Sequence, residues 1–478
     1  MADSEPIFLD NIRSVAIVGG GGTGIVTLKT LLEEGKFERV HLFERRSNLG
    51  GVWLFDDHVA QEELARFSHD SSTEFPFYDS HGQVHFPSPT YRSMIGNVAH
   101  ELQSFNGHQH PGLALSTGSV EDGHREETNL YATREQEIEY LRTYIDKHQL
   151  VKWVSLNTEV ISVRSTEQTR WKVITKDTST GSQSTSYFDA IIYAGGLWDR
   201  TFIPQIDGIE ALPRERLVHA RFYRSASVLT GKRVFILGNG NSANDIAAHA
   251  ADVAQLPVYR SIRHRSYFSY VPDPDRIHDI PPATKFSLGA NGTVIAELEG
   301  GRTISDIDIV VAATGYRYSV PSLRVPSMTN LGEDEPATTE DGHRMIGLYK
   351  HLFHARHPTL AFPGFAITWA PFSIYEAQAA VIARVFAGRL SLPSTADMLA
   401  DEGNCIKAVG DHYKFHVLAL YEGGDAAYGN DMRDWALQAE DPERGTAGVL
   451  WDEQRKWLLD NSRRLKTLQM KRERGMEP

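Results

Sequence analysis

Two glycine-rich turns, each between an apolar strand and a helix, constrain the fold of this 478-residue chain most strongly. The first turn, residues 19–24 (GGGGTG), follows the apolar run 14–18, and a helical stretch and a second strand, 40–44, come after it. The same order of strand, turn, helix and strand recurs over residues 232–262. Such βαβ units are typical of parallel sheets. The sequence therefore predicts an α/β fold with two Rossmann-like dinucleotide-binding domains and a mostly helical C-terminal region after about residue 375.

The first turn fits the pattern G-x-G-x-x-G through Gly19, Gly21 and Gly24, with Gly22 inside it. The three glycines allow a tight turn, close approach of a pyrophosphate to the backbone, and packing of the helix against the strand. The helix N-terminus then offers unpaired N–H groups to the phosphates. Glu44 ends the second strand, where an acid can accept hydrogen bonds from ribose hydroxyls. We therefore predict that this turn binds a dinucleotide.

The residues just after this turn indicate which dinucleotide it binds. A glycine turn close to the N-terminus, followed by Gly51 and Trp53 in the run GGVW, resembles the FAD-binding start of flavoproteins. The paired glycines give the backbone room beside the cofactor. We therefore predict FAD at the first turn.

The second turn fits G-x-G-x-x-A through Gly238, Gly240 and Ala243. Asn241 and Ser242 lie between the last two of these positions, at the predicted start of the helix. The final alanine is a common replacement where slightly wider helix packing is tolerated. We predict a second dinucleotide at this turn, and two dinucleotide cofactors in one chain indicate a redox enzyme.

The strand after the second turn, residues 258–263 (VYRSIR), carries no acid at its end but has Arg260, Ser261 and Arg263. An acid there would repel a 2′-phosphate, whereas a guanidinium can bind it with two N–H groups. We therefore predict NADPH in preference to NADH. Arg260 is the predicted 2′-phosphate ligand, although only one of the two arginines need contact the phosphate.

The composition argues against several other classes of protein. The formal net charge is −13, so a nucleic-acid backbone would be repelled and we expect no such partner. The lone cysteine, Cys405, excludes dithiol chemistry, and we expect it to pack in a helix. Neither a signal peptide nor an apolar run long enough to span a bilayer is evident, so we expect a cytoplasmic enzyme without a membrane anchor.

The order of these features resembles that of the class B flavin-containing monooxygenases over about residues 12–430. GNGNSANDIA at 238–247 is similar to the family's NADPH motif, and DIVVAATGY at 308–316 is similar to its linker between domains. LYKHLFHARHPTLAF at 348–362 and EAQA at 376–379 match family segments near the flavin. The resemblance implies that FAD and NADPH are the two cofactors.

A family fingerprint, F-x-G-x-x-x-H-x-x-x followed by Tyr, Phe or Trp, is partly kept before the second turn. The chain retains His219 and Tyr223 but has Pro213 and Glu215 where the family has Phe and Gly. In the resemblance, tyrosine in place of tryptophan at the last position favours oxygenation of a heteroatom over Baeyer–Villiger chemistry.

The resemblance also implies a set of site residues. Asn97, in YRSMIGN at 91–97, matches the asparagine beside the flavin's reactive edge and is the predicted catalytic residue, because an amide can both donate and accept hydrogen bonds. The predicted FAD-binding residues are Gly19, Gly21, Gly22, Gly24, Glu44, Arg45, Gly51, Trp53, Asn97, Val160, Ala194 and Gln378. The predicted NADPH-binding residues are Gly238, Gly240, Asn241, Ser242, Ala243, Arg260 and Ser261.

The implied reaction uses dioxygen and a small organic substrate. NADPH reduces FAD, dioxygen forms a flavin C4a-hydroperoxide, and a soft nitrogen or sulfur nucleophile takes one oxygen atom, so the cofactor carries most of the chemistry. Three alternatives stay open: a Baeyer–Villiger monooxygenase acting on ketones, an NADPH oxidase or flavin reductase, and a dinucleotide-binding module without catalysis.

We expect an FAD-binding domain formed by residues 1–204 and 305–478, with an NADPH-binding domain, residues 205–304, inserted between them. The region beyond about residue 400 either covers the active site or forms a subunit contact of a homo-oligomer. His351, His354 and His357 are spaced by three, but no carboxylate or thiol completes a recognisable ligand set, so we expect no metal. The histidines of GHQHPG at 107–112 are expected in a surface loop.

Overall fold

The computed structural model describes residues 5–56, 77–78, 84–111, 113, 129–166, 170–264, 273–327 and 334–473. The chain divides into two compact units. The first unit comprises Met1–Leu54, Val98–Leu197 and Tyr318–Pro478, and the second comprises Phe55–Asn97 and Trp198–Arg317.

The elements of the described residues alternate between strands and helices in the first part of each unit. The first strands are β1 (Ser14–Val18), β2 (Arg39–Phe43), β3 (Phe77–Tyr78), β4 (Val84–His85), β5 (Val154–Ser155), β6 (Thr158–Ser165), β7 (Trp171–Asp177), β8 (Gln183–Phe188), β9 (Ala190–Tyr193), β10 (Arg200–Thr201), β11 (Leu217–His219) and β12 (Arg233–Leu237). The later strands are β13 (Gln255–Ser261), β14 (Ile277–Ile280), β15 (Ala283–Leu288), β16 (Val294–Leu298), β17 (Thr303–Ile307), β18 (Ile309–Ala312), β19 (Tyr316–Arg317), β20 (Leu323–Pro326), β21 (Asp334–Glu335), β22 (Leu348–Tyr349), β23 (Phe353–His354) and β24 (Leu360–Ala361). The α-helices are α1 (Gly22–Glu34), α2 (Arg134–Lys147), α3 (Asn241–Val253), α4 (Pro371–Phe386), α5 (Thr395–Val409), α6 (Gly424–Ala436) and α7 (Glu453–Glu473).

The main sheet of the first unit is built around β1, in the order β22-β23-β24-β9-β1-β2-β5. All five residues of β1 are buried, and β1 pairs in parallel with β2 on one side and β9 on the other. The apolar side chains of α1, including Ile25, Leu28 and Leu31, are also buried, as expected for a helix that connects two parallel strands. Because parallel strands end at the same edge of a sheet, the residues that follow β1, β2 and β9 come together there.

The second unit has its own parallel sheet, in the order β11-β18-β12-β13-β14. Side chains of β12 alternate between its faces: Val234 and Ile236 pack with residues of α3, whereas Phe235 and Leu237 pack with the antiparallel strands β15, β16 and β17. Both faces of this sheet are therefore covered, as a parallel sheet requires. The predicted α/β fold with a Rossmann-like strand–turn–helix in each unit is confirmed.

The boundaries of the units differ from the predicted domains. The second unit extends a few residues beyond the expected limits 205 and 304, and it includes residues 55–97, which we expected in the first domain. The reason is a set of hydrogen bonds across a long stretch of sequence. Arg221 donates to the carbonyl oxygen of Pro87 at 3.0 Å, and Arg224 donates to that of Thr90 at 3.1 Å.

The C-terminal region of the first unit is mostly helical, as predicted, and contains α4 to α7. Cys405 lies in α5 and is half-buried, which agrees with the expectation for this residue. Within the described residues, no helix combines the length and the apolar character needed to cross a membrane.

Candidate functional site

The first glycine turn lies at the carboxyl edge of the parallel sheet in the first unit. Gly19, Glu44 and Ala194 directly follow β1, β2 and β9, so the strands bring these three predicted residues together. The Ala194 N–H donates to the Val18 carbonyl oxygen at 2.8 Å, and the Gly19 N–H donates to that of Phe43 at 2.9 Å. The turn is therefore held between its two neighbouring strands.

The glycines of this turn are required by close backbone approach. Gly19 has a φ of 103°, and a Cβ atom there would lie 2.6 Å from the carbonyl oxygen of Ala194. A Cβ atom on Gly24 would overlap the carbonyl oxygen of Gly19, and one on Gly51 would lie 2.7 Å from the Cα atom of Gly21. These contacts leave the backbone of the turn without side chains, which suits close approach of a pyrophosphate.

The first turn of α1 also suits a phosphate. In the described structure its N-cap, Gly21, forms no side-chain capping bond, and no acidic residue lies in the first helical turn. The N–H groups at a helix N-terminus carry partial positive charge and bind anions. The residues present therefore fit the pyrophosphate of a dinucleotide.

Glu44 supports the turn from within. Its side chain is buried, with one carboxylate oxygen accepting a hydrogen bond from the Gly20 N–H at 2.6 Å and the other accepting from the Arg46 N–H at 2.8 Å. The Arg46 guanidinium in turn donates to the Gly51 carbonyl oxygen at 2.5 Å. Glu44 thus fastens the glycine turn to the segment after β2, and its contact with a ribose stays a prediction.

The other predicted FAD-binding residues of the first unit are buried or half-buried. Trp53 ends a short 3-10 helix, Val160 lies in β6, and Arg45 follows Glu44. Gln378 lies in α4 and is fully buried, with both ends of its amide bonded to protein atoms. Asn97 is half-buried and is the last residue of the Phe55–Asn97 segment, in the second unit.

The second glycine turn repeats this construction. A Cβ atom on Gly238 would overlap the Ala313 carbonyl oxygen, whereas one on Gly240 would meet no described atom within 4 Å. Gly240 is also the N-cap of α3, and the described residues give it no side-chain capping bond. Ala243 is fully buried against the sheet, and Asn241 and Ser242 retain exposed surface. Open space over a glycine at a helix N-terminus fits a second pyrophosphate.

Arg260 does not lie at the solvated edge where we expect a 2′-phosphate ligand. Its side chain is fully buried and forms a two-fold ion pair with Asp279 of β14, at 2.7 and 3.0 Å, and a third hydrogen bond with Asn244 of α3. Its charge is therefore already balanced inside the unit. Arg263, two residues after β13, is exposed, whereas Ser261 is buried and donates to the Pro281 carbonyl oxygen at 3.2 Å.

The fingerprint histidine joins two segments of the second unit. His219 is fully buried; its Nε2 atom lies 3.1 Å from the Gly315 carbonyl oxygen, and its Nδ1 atom accepts from the Arg221 N–H at 3.1 Å. Burial lowers the pKa of His219 to about 3, so the ring is neutral and donates from Nε2. Pro213 and Glu215, the two departures from the fingerprint, lie in the turn before β11.

The fingerprint tyrosine belongs to a small aromatic cluster on α3. The Tyr223 hydroxyl lies 3.2 Å from His249 Nδ1, and its ring meets the Tyr91 ring edge-on with centroids 5.4 Å apart. The Tyr91 hydroxyl donates to an Asp245 carboxylate oxygen at 2.5 Å. Residues 91–97, which carry Asn97, are therefore anchored to the helix that follows the second glycine turn.

Asp245, Asp279 and Tyr428 are contacts of the site that the sequence did not single out. Asp245 lies within GNGNSANDIA, so its position in the motif could have drawn attention to it. Asp279 and Tyr428 carry no such signal, because their partners Arg260 and Gln378 lie on other elements.

The histidines outside the turns were partly misjudged. The expectation of a surface loop is wrong for His110, which is buried, donates to the Gln103 carbonyl oxygen at 3.1 Å, and stacks on Tyr140 with ring centroids 4.1 Å apart. His108 is half-buried. His351 bonds to His416 through their Nδ1 atoms at 2.9 Å, and the described residues contain no group of three or more His, Cys, Asp or Glu side chains placed to hold a metal.

Comparisons with known proteins agree with this geometry. Residues 12–73, 87–271 and 290–432 match the family described as flavin-binding monooxygenase-like, FMO-like. The Arabidopsis thaliana protein flavin-containing monooxygenase FMO GS-OX-like 3 is 26% identical over 391 residues, which cover 81% of this chain and 79% of that one.

Two further proteins extend the comparison. The Mus musculus dimethylaniline monooxygenase [N-oxide-forming] 2 is 26% identical over 461 residues, covering 81% of this chain and 76% of its own. Among solved structures, S-allyl-L-cysteine S-oxygenase from Allium sativum superposes with a TM-score of 0.75 at 23% identity, covering 97% of this chain and 94% of that one. The structural likeness at this identity concerns the fold.

Proposed function

Because this chain belongs to the flavin-binding monooxygenase-like family and is a flavoprotein monooxygenase that uses FAD and NADPH, we propose that it oxygenates a soft nitrogen or sulfur atom of a small organic substrate. The observation that carries the choice of heteroatom is Tyr223 at the last position of the fingerprint, where its hydroxyl bonds to His249. The mouse relative, whose name states that it forms N-oxides, supports the same choice.

In this proposal the first glycine turn holds FAD. The α1 N-terminus binds the pyrophosphate, Gly19, Gly21 and Gly24 admit it to the backbone, and Glu44 keeps the turn in shape through Gly20. Bound FAD supplies the redox chemistry between NADPH and dioxygen. The chain's own task at this edge is to fix the cofactor and to exclude water from it.

The second glycine turn holds NADPH in this proposal. The α3 N-terminus and the open space over Gly240 receive the pyrophosphate. We assign the 2′-phosphate to exposed Arg263 instead of Arg260, since the Arg260 guanidinium is already paired with Asp279. Arg260 then acts indirectly, because its bonds to Asp279 and Asn244 tie β13 and β14 to α3.

Asn97 is the proposed catalytic residue of the second unit. Its amide can donate to one group and accept from another, which suits the nicotinamide carboxamide and the oxygen that is transferred. The Tyr91–Asp245 hydrogen bond holds the segment that carries Asn97 on α3, so the asparagine and the proposed NADPH turn belong to one rigid part. Few protein acids or bases are needed in such a reaction.

A substrate panel tests this proposal. Purified holoenzyme is supplied with NADPH, oxygen and, in separate reactions, a thioether, a tertiary amine and a cyclic ketone, and the products and hydrogen peroxide are quantified. We expect a sulfoxide or an N-oxide in proportion to NADPH consumed, and N97A to lose product while it retains FAD. A lactone as the main product would favour Baeyer–Villiger chemistry. NADPH consumption matched by peroxide with every substrate would contradict oxygenation.

A further inference from the structure

The buried amide of Gln378 is used entirely by the protein itself. Its side-chain oxygen accepts a hydrogen bond from the Gly364 N–H at 2.8 Å, and its side-chain nitrogen donates to the Tyr428 hydroxyl at 2.9 Å. A side chain with both ends bonded in this way acts on the backbone and the helix it joins. Gln378 therefore affects a cofactor through other residues of the first unit.

The first of these neighbours leads directly to the first glycine turn. Gly364 has a φ of 77°, and a Cβ atom there would lie 2.7 Å from the Thr23 hydroxyl oxygen and 3.3 Å from the Tyr375 ring. Thr23 is the second residue of α1 and lies inside the GGGGTG run. The position of Gly364, fixed by Gln378, thus sets how closely this backbone packs on the turn.

The other neighbour leads to the C-terminal helices. Tyr428, in α6, donates its hydroxyl proton to the Lys350 carbonyl oxygen at 2.8 Å. Burial raises the pKa of Tyr428, so the hydroxyl stays protonated at neutral pH and keeps donating. Lys350 has a φ of 48°, and its N–H donates to Asp401 of α5 at 3.2 Å, so this end of the chain of hydrogen bonds is fixed by backbone and by a second helix.

We propose that Tyr428 is a positioning residue for the FAD turn, acting through Gln378 and Gly364 on Thr23. The relay, defined as Tyr428, Gln378, Gly364 and Thr23, gives the C-terminal helices a task beyond covering a site or forming a subunit contact: they hold the first glycine turn in the shape that binds FAD. This proposal rests on the assignment of FAD to the first turn.

A double-mutant cycle tests the relay with the full-length protein. FAD is removed, and the FAD dissociation constant of the apoprotein is measured by flavin fluorescence for wild type, Y428F, Q378L and the double variant. Y428F leaves the amide of Gln378 without its acceptor, and loss of such a bond weakens binding by about three- to tenfold. Because the two residues act in series, the double variant should bind FAD no more weakly than Q378L alone.

A matched control and two further readouts separate positioning from general destabilisation. Tyr421, whose hydroxyl donates to the Phe415 carbonyl oxygen at 2.6 Å, lies outside the relay, so Y421F should keep the wild-type dissociation constant. The Y428F apoprotein should melt within a few degrees of the wild-type apoprotein, and added FAD should restore its turnover with an unchanged KM for NADPH.

Three results would overturn the relay: an unchanged FAD dissociation constant in Y428F, additive losses in the double variant, or an FAD loss that only follows a lower apoprotein Tm. If Q378L does not fold, Q378E, which keeps an acceptor for the Gly364 N–H, takes its place in the cycle. Failure of the wild-type protein to bind FAD at all would instead contradict the proposed function.

Discussion

Replacing Arg263 by alanine separates recognition of the NADPH 2′-phosphate from the stability of the fold. Arg263 is exposed two residues after β13, so its side chain can be removed without opening a buried site. A charge-assisted hydrogen bond contributes about 1.5–3 kcal/mol, which corresponds to about 10- to 100-fold in affinity. We therefore expect R263A to weaken NADPH binding by that factor, to leave NADH binding within about twofold, and to keep the wild-type Tm.

The matched variant is R260A, which we expect to behave in the opposite way. It removes both bonds to Asp279, whose side chain is 18% exposed, and leaves that carboxylate without its cation. Breaking one partner of a buried ion pair costs on the order of 3 kcal/mol of folding free energy, so the Tm should fall and the losses for NADPH and NADH should be similar.

The assay is titration of each oxidised nucleotide into the holoenzyme, combined with thermal unfolding of each variant. A selective loss of NADP+ over NAD+ binding in R260A at unchanged Tm would restore the first assignment of the 2′-phosphate to Arg260. Equal losses for both nucleotides in R263A would show that Arg263 does not contact the phosphate.

Three other outcomes are expected. G24A should be purified without FAD, as judged by its visible absorbance, because a Cβ atom there overlaps the Gly19 carbonyl oxygen; an alanine variant at exposed Gly107 should keep its flavin. The free energy of unfolding should fall as the pH drops from about 6.5 toward 3, because the unfolded chain takes up a proton on His219 that the folded chain refuses, and H219Q should flatten this dependence in pH-resolved melting curves. Y91F should lose about 1 kcal/mol of stability and part of its turnover at full FAD occupancy, since Asp245 loses a hydrogen bond; unchanged kinetics in Y91F would argue against anchoring of residues 91–97.

The two glycine turns could be predicted from the sequence because their requirements are local. A glycine is needed where one backbone approaches another, and the spacing of Gly19, Gly21 and Gly24 records this without reference to the rest of the chain. The strand before each turn and the helix after it are equally local, which is why the fold class follows from short patterns.

The roles of single polar residues could not be predicted in the same way, because they depend on partners far away in sequence. Nothing near Arg260 indicates that Asp279 of the next strand neutralises it, and nothing near Glu44 shows that its carboxylate is bonded to Gly20. His110 reads as a loop residue until Tyr140 of α2 stacks on it. The placement of residues 55–97 in the second unit depends likewise on bonds that span more than 130 positions.

The most direct test of the central claim is the origin of the transferred oxygen atom. The holoenzyme is incubated under ¹⁸O₂ with NADPH and a thioether, and the product is analysed by mass spectrometry beside the amount of NADPH consumed. We expect one labelled oxygen atom in each sulfoxide and one NADPH for each product molecule. An unlabelled product, or consumption of NADPH with hydrogen peroxide as the sole oxygen-derived product, would contradict the assignment.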